Sequence, residues 1–300
     1  MTSTDVRQRD RQTAVVRFHR APAPVRAAFR VLEHTAPEVG ARWAERIWFT
    51  LPNAPPRPSA GHPALGHPAL GRPAGEAFAV GTVAGEIWGS GPTVYLLHGW
   101  AGHRGQLGAF VAPLVARGFR VVAFDAPSHG ESGPGAHGPR SSSIPEFAAA
   151  LKAVVAAQGP ATVIIAHSMG ATAAAIALCD GMRAARLAML APLASPALYG
   201  RRLARMLGGG ERTHRRLVAR VERRVGPMRH MEVPELGRAI AMPPTLVLHD
   251  RDDSSVSVTD GAAIAAAWPH ARLHVTSGLG HRRLLRHPDV VAEVVEFVSD

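Results

Sequence analysis

A serine stands between an apolar, β-branched run and a run of small helix-forming residues, in VIIAHSMGATAAAIALC (163–179). The first run predicts a buried strand, and the second predicts a helix that follows it without a loop. Ser168 therefore falls in a tight turn, with the small residues Ala166 and Gly170 two positions before and after it. Such a turn exposes a serine hydroxyl above the sheet as a nucleophile. A serine that only caps the helix is the alternative.

A serine hydroxyl is a good nucleophile only when a base removes its proton and an acid orients that base. Both are expected after Ser168 in the chain. His281, in TSGLGHRRLLRHP, follows two glycines on a predicted loop after the last predicted strand and is the candidate base among 16 histidines. An ordinary loop histidine is the alternative interpretation.

Three aspartates compete for the role of the acid at the end of a predicted strand, in LVLHDRDDSSVSV. They are Asp250, Asp252 and Asp253, and parallel sheets present catalytic side chains at this end of a strand. Asp253 is preferred because it stands four residues past His249 and three before Val256, a spacing typical of serine hydrolases. Asp252 and a purely structural acidic turn are the alternatives.

Attack by serine on a carbonyl also requires two N–H donors for the developing oxyanion. The backbone N–H of Met169 is expected to be one, because it lies at the N-terminus of the predicted helix. The other is expected from HGWAGH, residues 98–103, directly after a predicted strand. There His98 and Gly99 turn the chain, Trp100 offers its backbone N–H, and all three are candidates for the substrate pocket. A tryptophan that only packs in the core is the alternative.

Other histidines receive structural interpretations. Ser128 and His129, in DAPSHGES, follow the predicted strand that ends at Phe124 and are expected to shape a turn beside the site. His62 and His67 lie in the short repeat GHPALGHPALGRPA, which has no cysteine or acidic neighbour at metal-ligand spacing. A flexible linker is therefore preferred there over a metal site.

Short apolar runs alternate with helical segments over most of the chain, which is typical of β/α units on a mostly parallel sheet. An opening hairpin is predicted from FAVGTV and EIW, joined at Ala84 and Gly85. Strands are predicted at TVYLL (93–97), RVVAF (120–124), TVIIA (162–166), RLAML (186–190), TLVLH (245–249) and RLHVT (272–276). Helices are predicted near 105–117, 144–157, 169–180, 259–268 and 288–298.

Two amphipathic helices are predicted before the sheet. Apolar residues recur at helical spacing on either side of Pro37, at Val25, Ala28, Phe29 and Leu32 and at Val39, Trp43 and Ile47. These helices are expected to pack on the main body or to cover a cleft. Residues 1–75 are interpreted as N-terminal helices with a Pro-rich linker, and residues 76–300 as the main domain.

An inserted helical cap is predicted at about residues 194–243. Connections in α/β folds are short, yet about fifty residues separate Leu193 from Pro244 and contain two apolar helical periods on either side of residues 208–210. The insert has 11 Arg and 4 Glu, so 11 − 4 = +7 of the net charge of +11 lies there. A solvated outer face explains this charge, and an anion-attracting face is the alternative.

Composition narrows the classes of protein. At 46% hydrophobic residues over 300 positions, the chain can bury a large core, which excludes a mainly disordered state. Arg supplies 33 of the 34 basic residues, Lys152 being the exception, and the abundance of Ala, Gly and Pro indicates a coding bias. With 5% aromatic residues and no recognised nucleic-acid motif, no nucleic-acid partner is expected.

The compartment is predicted from what the chain contains. Cys179 is the single cysteine, which excludes an intramolecular disulfide, and it is expected to be a small buried hydrophobe. The first dozen residues lack the apolar core of a signal peptide, and no run reaches the roughly 18 apolar residues of a membrane span. A cytoplasmic protein without a membrane span is expected.

Together these residues resemble the α/β-hydrolase family over roughly residues 78–300. The resemblance rests on His-Gly-Trp, the turn at Ser168, the spacing of Asp253 and Gly-x-Gly-His ending at His281, in the chain order that this fold uses. HGWAG, AFDAPSHG and GLGHRRLLRHP are similar to segments of a bacterial branch of that family. The resemblance implies an α/β-hydrolase fold with a mostly parallel, eight-stranded sheet, helices on both faces, an acyl-serine intermediate and no metal or organic cofactor.

The expected function is cleavage of a carboxylic ester of a small-molecule acyl substrate. Thioester or amide cleavage, or acyl transfer to an alcohol, would use the same three side chains. A non-catalytic small-molecule-binding protein of the same fold is the alternative from another class. It is disfavoured because such a protein has no need of Asp253 and His281 in register with Ser168.

Overall fold

The computed structural model describes residues 21–52 and 75–300, and eight strands of this part form one sheet. The strands are β1 (Glu76–Val80), β2 (Val83–Trp88), β3 (Thr93–Leu97), β4 (Arg120–Phe124), β5 (Val163–His167), β6 (Arg186–Leu190), β7 (Thr245–Asp250) and β8 (Ala271–Thr276). Their order across the sheet is β1-β2-β4-β3-β5-β6-β7-β8. The β1–β2 and β2–β4 pairs are antiparallel and the others are parallel. The carboxyl ends of β3 to β8 therefore share one edge of the sheet.

The helices of the described chain connect these strands or precede them. They are α1 (Ala23–Thr35), α2 (Pro37–Phe49), α3 (Val111–Ala116), α4 (Ile144–Gln158), α5 (Met169–Cys179), α6 (Pro196–Leu207), α7 (Glu211–Val225), α8 (Val233–Ala239), α9 (Val258–Ala267), α10 (Gly280–Arg283) and α11 (Pro288–Ser299). Parallel strands require crossover connections, which these helices supply. The predicted α/β class and the eight-stranded, mostly parallel sheet are confirmed.

The sheet separates two hydrophobic clusters. Successive residues of a strand point to opposite faces. Accordingly, Tyr95 and Leu97 of β3 pack in the cluster that contains α4 and α5 residues, whereas Val94 and Leu96 pack with α3 and α11 residues. Every residue of β3 and of β5 is buried. Strands that are buried on both faces give continuous apolar runs, which explains why the sequence predicted them well.

The opening hairpin is present, but its predicted turn is wrong. The turn lies at Gly81 and Thr82, whereas Ala84 and Gly85 lie inside β2. Gly81 has φ of 58°, a value that tight hairpin turns require and glycine adopts readily. Gly85 pairs with Phe78, and a Cβ there would lie 2.4 Å from the Phe78 ring. Gly85 is therefore small because an aromatic ring covers it.

The insertion between β6 and β7 consists of α6, α7, a 3₁₀ turn and α8. The two N-terminal helices pack against it, α2 along α7 and both α1 and α2 against α6. Arg220 of α7 binds two carboxylates of α2, with Nη1 at 2.7 Å from Glu38 and Nε at 2.5 Å from Glu45. Arg216 lies 3.8 Å from Glu38. Part of the basic charge of the insertion thus pairs with α2, an arrangement that neither sequence interpretation included.

Two further expectations from the sequence have structural outcomes. Cys179 is half-buried at the end of α5, with its thiol 3.8 Å from the carbonyl oxygen of Leu236, so it is less buried than expected. Among residues 21–52 and 75–300, no helix has the length and apolar composition that crossing a bilayer requires. The linker histidines His62 and His67 lie outside the described residues.

Glu33 of α1 caps the N-terminus of α7. Its carboxylate accepts hydrogen bonds from the backbone N–H groups of Gly210, Arg212 and Thr213 at 2.8, 2.9 and 3.1 Å. Partial burial favours a higher pKa, but the hydrogen bonds outweigh it and lower the pKa of Glu33 from 4.5 to about 2. This carboxylate therefore ties the N-terminal helices to the insertion.

Glu33→Gln is expected to lower the free energy of unfolding by about 1 kcal/mol at pH 7, the usual magnitude for a helix cap. Because the pKa is lower in the folded state, the extra stability from the carboxylate is present above about pH 4.5 and is lost as the pH falls towards 2. In urea unfolding, the difference in free energy of unfolding between wild type and Glu33→Gln should become smaller from pH 7 to pH 3. Glu296→Gln, on an exposed site of α11, is the control and should show no gap. A gap that does not change with pH contradicts the assignment.

Candidate active site

Ser168 is the single residue between β5 and α5. Its backbone has φ of 53° and ψ of −123°, a strained conformation for any residue other than glycine. The Ser168 N–H donates to the carbonyl oxygen of Leu190 at the end of β6 at 2.9 Å. Ser168 therefore occupies a tight strand-to-helix turn of the kind that the sequence predicts.

Close packing around this turn requires small residues. A Cβ at Gly170 would lie 2.3 Å from the carbonyl oxygen of His98, and a Cβ at Gly99 would lie 2.9 Å from the Ser168 Cβ. Ala166, two residues before the serine, is fully buried. The segment after β3 thus passes directly against the serine turn, which brings Trp100 to the neighbourhood of Ser168.

The structure brings together the three side chains singled out from the sequence. His281 Nε2 lies 3.1 Å from Ser168 Oγ, and His281 Nδ1 lies 2.7 Å from Asp253 Oδ2. The carboxylate can only accept, so Nδ1 carries the proton and Nε2 is free to accept the Ser168 hydroxyl proton. His281 belongs to the short helix α10, which begins at Gly280, so the predicted loop position is wrong.

The Asp253 carboxylate is completely buried and held on both oxygens. Oδ1 accepts the N–H groups of Ser255 at 2.8 Å and Val256 at 2.9 Å, and Oδ2 faces His281. His249 Nε2 lies 3.5 Å from Oδ2. Burial alone favours a higher pKa, but the hydrogen bonds from His249, His281 and Val256 lower the pKa of Asp253 far below its usual value. Asp253 is therefore ionised at neutral pH.

The two competing aspartates bind backbone groups. Asp250 accepts the N–H groups of Leu279 and Gly280 at 3.0 and 2.8 Å, and Asp252 accepts the N–H of Gly278 at 2.7 Å. All three donors precede the candidate base in the chain. The preference for the third aspartate of the cluster thus agrees with the geometry, while the other two support the segment that carries the imidazole.

The two predicted N–H donors belong to two segments that meet at the serine turn. Met169 is the first residue of α5 and directly follows Ser168, and Trp100 follows Gly99. Within the described chain, neither backbone N–H has an intramolecular acceptor. Met169 is almost buried, and the Trp100 side chain packs partly against the core. Both N–H groups remain free for an acceptor that enters the site.

The predicted pocket role of His98 is wrong, because its side chain is fully buried. Nδ1–H donates to the carbonyl oxygen of Gly99 at 2.7 Å, and Nε2 accepts the N–H of Ala126 at 3.0 Å. Burial lowers the pKa of His98 to about 4, so the ring is neutral. His98 and the buried Gly99 support the segment after β3, and of the three predicted pocket residues Trp100 alone is partly exposed.

His129 supports the same segment and confirms the prediction that it shapes a turn. Its Nε2 accepts the N–H of Ala101 at 3.1 Å, and its Nδ1–H donates to the carbonyl oxygen of Pro127 at 2.9 Å. Ala101 has φ of 53°, so the segment is strained where His129 holds it. Ser128, also in the turn, donates its hydroxyl to the carbonyl oxygen of Gly138 at 3.1 Å.

An ion cluster that the sequence did not predict, buried except at Glu131, holds the end of this segment. The Arg104 guanidinium binds the carboxylates of Glu86, Asp125 and Glu131. The Arg104 N–H also donates to Asp125 Oδ1 at 2.6 Å. The position of Asp125 directly after β4 is a signal of this role, but its partners come from distant parts of the chain.

His167 is a second residue that the sequence left without a role. Its buried ring donates Nε2–H to the carbonyl oxygen of His281 at 3.0 Å. Burial, and next the nearness of the titratable His281 ring, hold the pKa of His167 well below its usual value, so the His167 ring is neutral. Across residues 21–52 and 75–300, no three His, Cys, Asp or Glu side chains come together as metal ligands would.

The alpha/beta hydrolase family model matches residues 94–294, which is more than half of the chain. The chain belongs to the alpha/beta hydrolase family. A pimeloyl-[acyl-carrier protein] methyl ester esterase from Xanthomonas campestris is 29% identical to it over 260 residues, covering 71% of this chain and 98% of the relative. A "serine hydrolase-like protein" from Danio rerio is 38% identical over 99 residues, covering 31% of this chain and 29% of the relative.

Solved structures share the fold of this alpha/beta hydrolase. An esterase from Thermogutta terrifontis superposes with a TM-score of 0.56 at 22% identity, covering 74% of this chain and 98% of that chain. A monoacylglycerol lipase from Paleococcus ferrophilus superposes with a TM-score of 0.54 at 19% identity, covering 75% and 98%. The fold class expected from the resemblance is thereby confirmed.

Two helix glycines of this alpha/beta hydrolase are expected to respond oppositely to alanine. Gly170→Ala places a methyl group against the His98 carbonyl and should lower the free energy of unfolding by about 1–3 kcal/mol. Gly200→Ala, in α6, meets no atom closer than 3.8 Å and should raise it by about 0.5–1 kcal/mol. Urea unfolding followed by circular dichroism measures both. Equal stability of the two variants contradicts the close packing at the serine turn.

Proposed function

We propose that this alpha/beta hydrolase is a serine hydrolase that cleaves a carboxylic ester of a small-molecule acyl substrate through an acyl-serine intermediate. The observation that carries the proposal is the unbroken series of contacts from Ser168 Oγ to His281 at 3.1 Å and from His281 to Asp253 at 2.7 Å. Ester chemistry is favoured because the Xanthomonas relative is named as a methyl ester esterase.

In the first step, Ser168 Oγ attacks the carbonyl carbon of the ester while His281 Nε2 accepts the hydroxyl proton. The carbonyl π electrons move to oxygen, and the N–H groups of Trp100 and Met169 donate to the resulting oxyanion. The carbonyl then re-forms, the bond to the alkoxy oxygen breaks, and His281 protonates the departing alcohol. The acyl group remains on Ser168.

In the second step, a water molecule attacks the acyl carbon while His281 accepts one of its protons. Collapse of the second tetrahedral intermediate breaks the bond to Ser168 Oγ, which takes the proton from His281. The carboxylic acid is released and the serine hydroxyl is restored. No oxidant, reductant or metal takes part in the balance of either step.

Asp253 acts on the imidazole in both steps. Its ionised, buried carboxylate fixes the proton on His281 Nδ1 and stabilises the imidazolium that forms each time Nε2 is protonated. The side chain is 0% exposed, and a charge in such a place acts more strongly than it does in water. The two N–H groups that hold its other oxygen keep it from turning away.

Ser168→Ala is expected to lower kcat/KM for hydrolysis of p-nitrophenyl esters by at least about 10³-fold, because it removes the nucleophile. A series of increasing acyl length identifies the best substrate, and a matched thioester separates ester from thioester cleavage. The unfolding midpoint of the variant should be unchanged within about 1 °C. If folded Ser168→Ala keeps the wild-type rate, the hydrolysis does not depend on this serine and the proposal is contradicted. That result favours the non-catalytic binding protein of the same fold.

The same substitution at a second, remote aspartate provides a matched test of the acid. Asp253→Asn is expected to lower kcat by roughly 10³–10⁴-fold, because the amide no longer fixes the reactive tautomer of His281. Asp289→Asn removes the same charge from a 92% exposed side chain of α11 and should lower kcat by less than about threefold. The kcat values of both variants are measured on the same ester. Equal effects of the two substitutions contradict the assignment of Asp253.

A further inference from the structure

The proposed mechanism makes no use of the buried carboxylate that ends β7. Asp250 is the last residue of β7 and is 0% exposed. All six residues of β7 are buried, and this strand lies between β6 and β8 in the sheet. The carboxylate is therefore attached to a buried strand that is hydrogen-bonded on both sides.

Four donors converge on this carboxylate. Oδ1 accepts the N–H of Gly280 at 2.8 Å and that of Asp252 at 3.0 Å. Oδ2 accepts the hydroxyl of Thr276 at 2.7 Å and the N–H of Leu279 at 3.0 Å. Three of the donors therefore belong to β8 and the five residues after it, which lead to the candidate base.

Leu279 and Gly280 directly precede His281, so Asp250 binds the backbone one and two residues before the imidazole. The segment has little stability of its own. Gly278 and Gly280 have φ of 76° and 65°, and α10 has four residues, too few for a helix to be stable alone. External hydrogen bonds must therefore fix the direction in which the imidazole points.

We propose that Asp250 is a positioning residue that holds His281 in line with Ser168, an inference that rests on the proposed function. The carboxylate touches neither the imidazole nor the serine and acts through the backbone of residues 279–280. Its importance follows from the sensitivity of catalysis to geometry, since a displacement of about 1 Å lowers the rate by roughly 10²-fold.

The charge state of Asp250 suits this role. Burial alone favours a higher pKa, but the hydrogen bonds from Gly280, Thr276, Leu279 and Asp252 outweigh it and lower the pKa of Asp250. The carboxylate is therefore ionised, and hydrogen bonds to a charged acceptor are about twice as strong as those to a neutral one. On the far side, His167 binds the carbonyl oxygen of His281, so its backbone is fixed from two strands of the sheet.

The kinetic test compares Asp250→Asn and Asp250→Ala on the best p-nitrophenyl ester. Asp250→Ala removes every acceptor and should lower kcat by about 10–100-fold, with KM within about twofold of wild type. Asp250→Asn keeps one acceptor oxygen, so its kcat should lie between that of Asp250→Ala and that of the wild type. Asp180→Asn, an exposed carboxylate on the far end of α5, is the control for the lost charge and should leave both constants unchanged.

A double variant separates positioning from general loss of structure. In a His281→Ala background, Asp250→Ala should not lower the residual rate further, because Asp250 acts only through that imidazole. Full additivity of the two effects overturns the inference, and so does a wild-type kcat in folded Asp250→Ala. If Asp250→Ala fails to fold, Thr276→Val replaces it, because this variant removes a single donor to the Asp250 carboxylate. Thr276→Val should lower kcat by about two- to fivefold, and an unchanged kcat in this variant also overturns the inference.

The outcomes also distinguish this inference from the function on which it rests. Loss of activity in Ser168→Ala together with wild-type kcat in the folded Asp250 variants overturns the role of Asp250 alone. Full activity in Ser168→Ala overturns both. Loss of activity in Ser168→Ala with the graded effect of the Asp250 variants supports both.

Discussion

A buried strand ends and a buried helix begins at Ser168, and no loop residue separates them. The backbone there accepts φ of 53°, a conformation that costs of order 1–3 kcal/mol and persists only where the surroundings enforce it. The surroundings do so through the hydrogen bond to Leu190 and through the contact between Gly170 and the His98 carbonyl. Every other feature of the site depends on this constraint, because it fixes the hydroxyl at the edge where the parallel strands end.

The parallel sheet assembles the rest of the site from segments that are far apart in the chain. Trp100 follows β3, Asp253 follows β7 and His281 follows β8, so each proposed role is filled from a different strand. Buried polar side chains then fix these segments. His98, His129 and the Arg104 cluster hold the segment after β3, and Asp250 and His167 hold the segment around His281. The reactive groups are thus positioned by interactions made mainly with backbone atoms.

The sequence predicted what local pattern encodes. Strands buried on both faces left uninterrupted apolar runs, and the small residues around Ser168 marked the turn. Prediction from the sequence failed where residues distant in the chain determine the local structure. Gly85 looks like a turn residue but is opposite the Phe78 ring. The glycines before His281 suggest a loop, although backbone hydrogen bonds donated to Asp250 stabilise a helical turn there. The pairing of Arg220 with Glu38 and Glu45 joins residues about 180 positions apart, which no local pattern shows.

The most direct test of the account is the site of covalent reaction with a fluorophosphonate probe, which resembles the tetrahedral intermediate and reacts with an activated serine. The labelled protein is digested, and the modified residue is located by tandem mass spectrometry. The account predicts a single adduct on Ser168, slower labelling in His281→Ala and none in Ser168→Ala. An adduct on another residue, or no reaction of the folded wild-type protein, contradicts it.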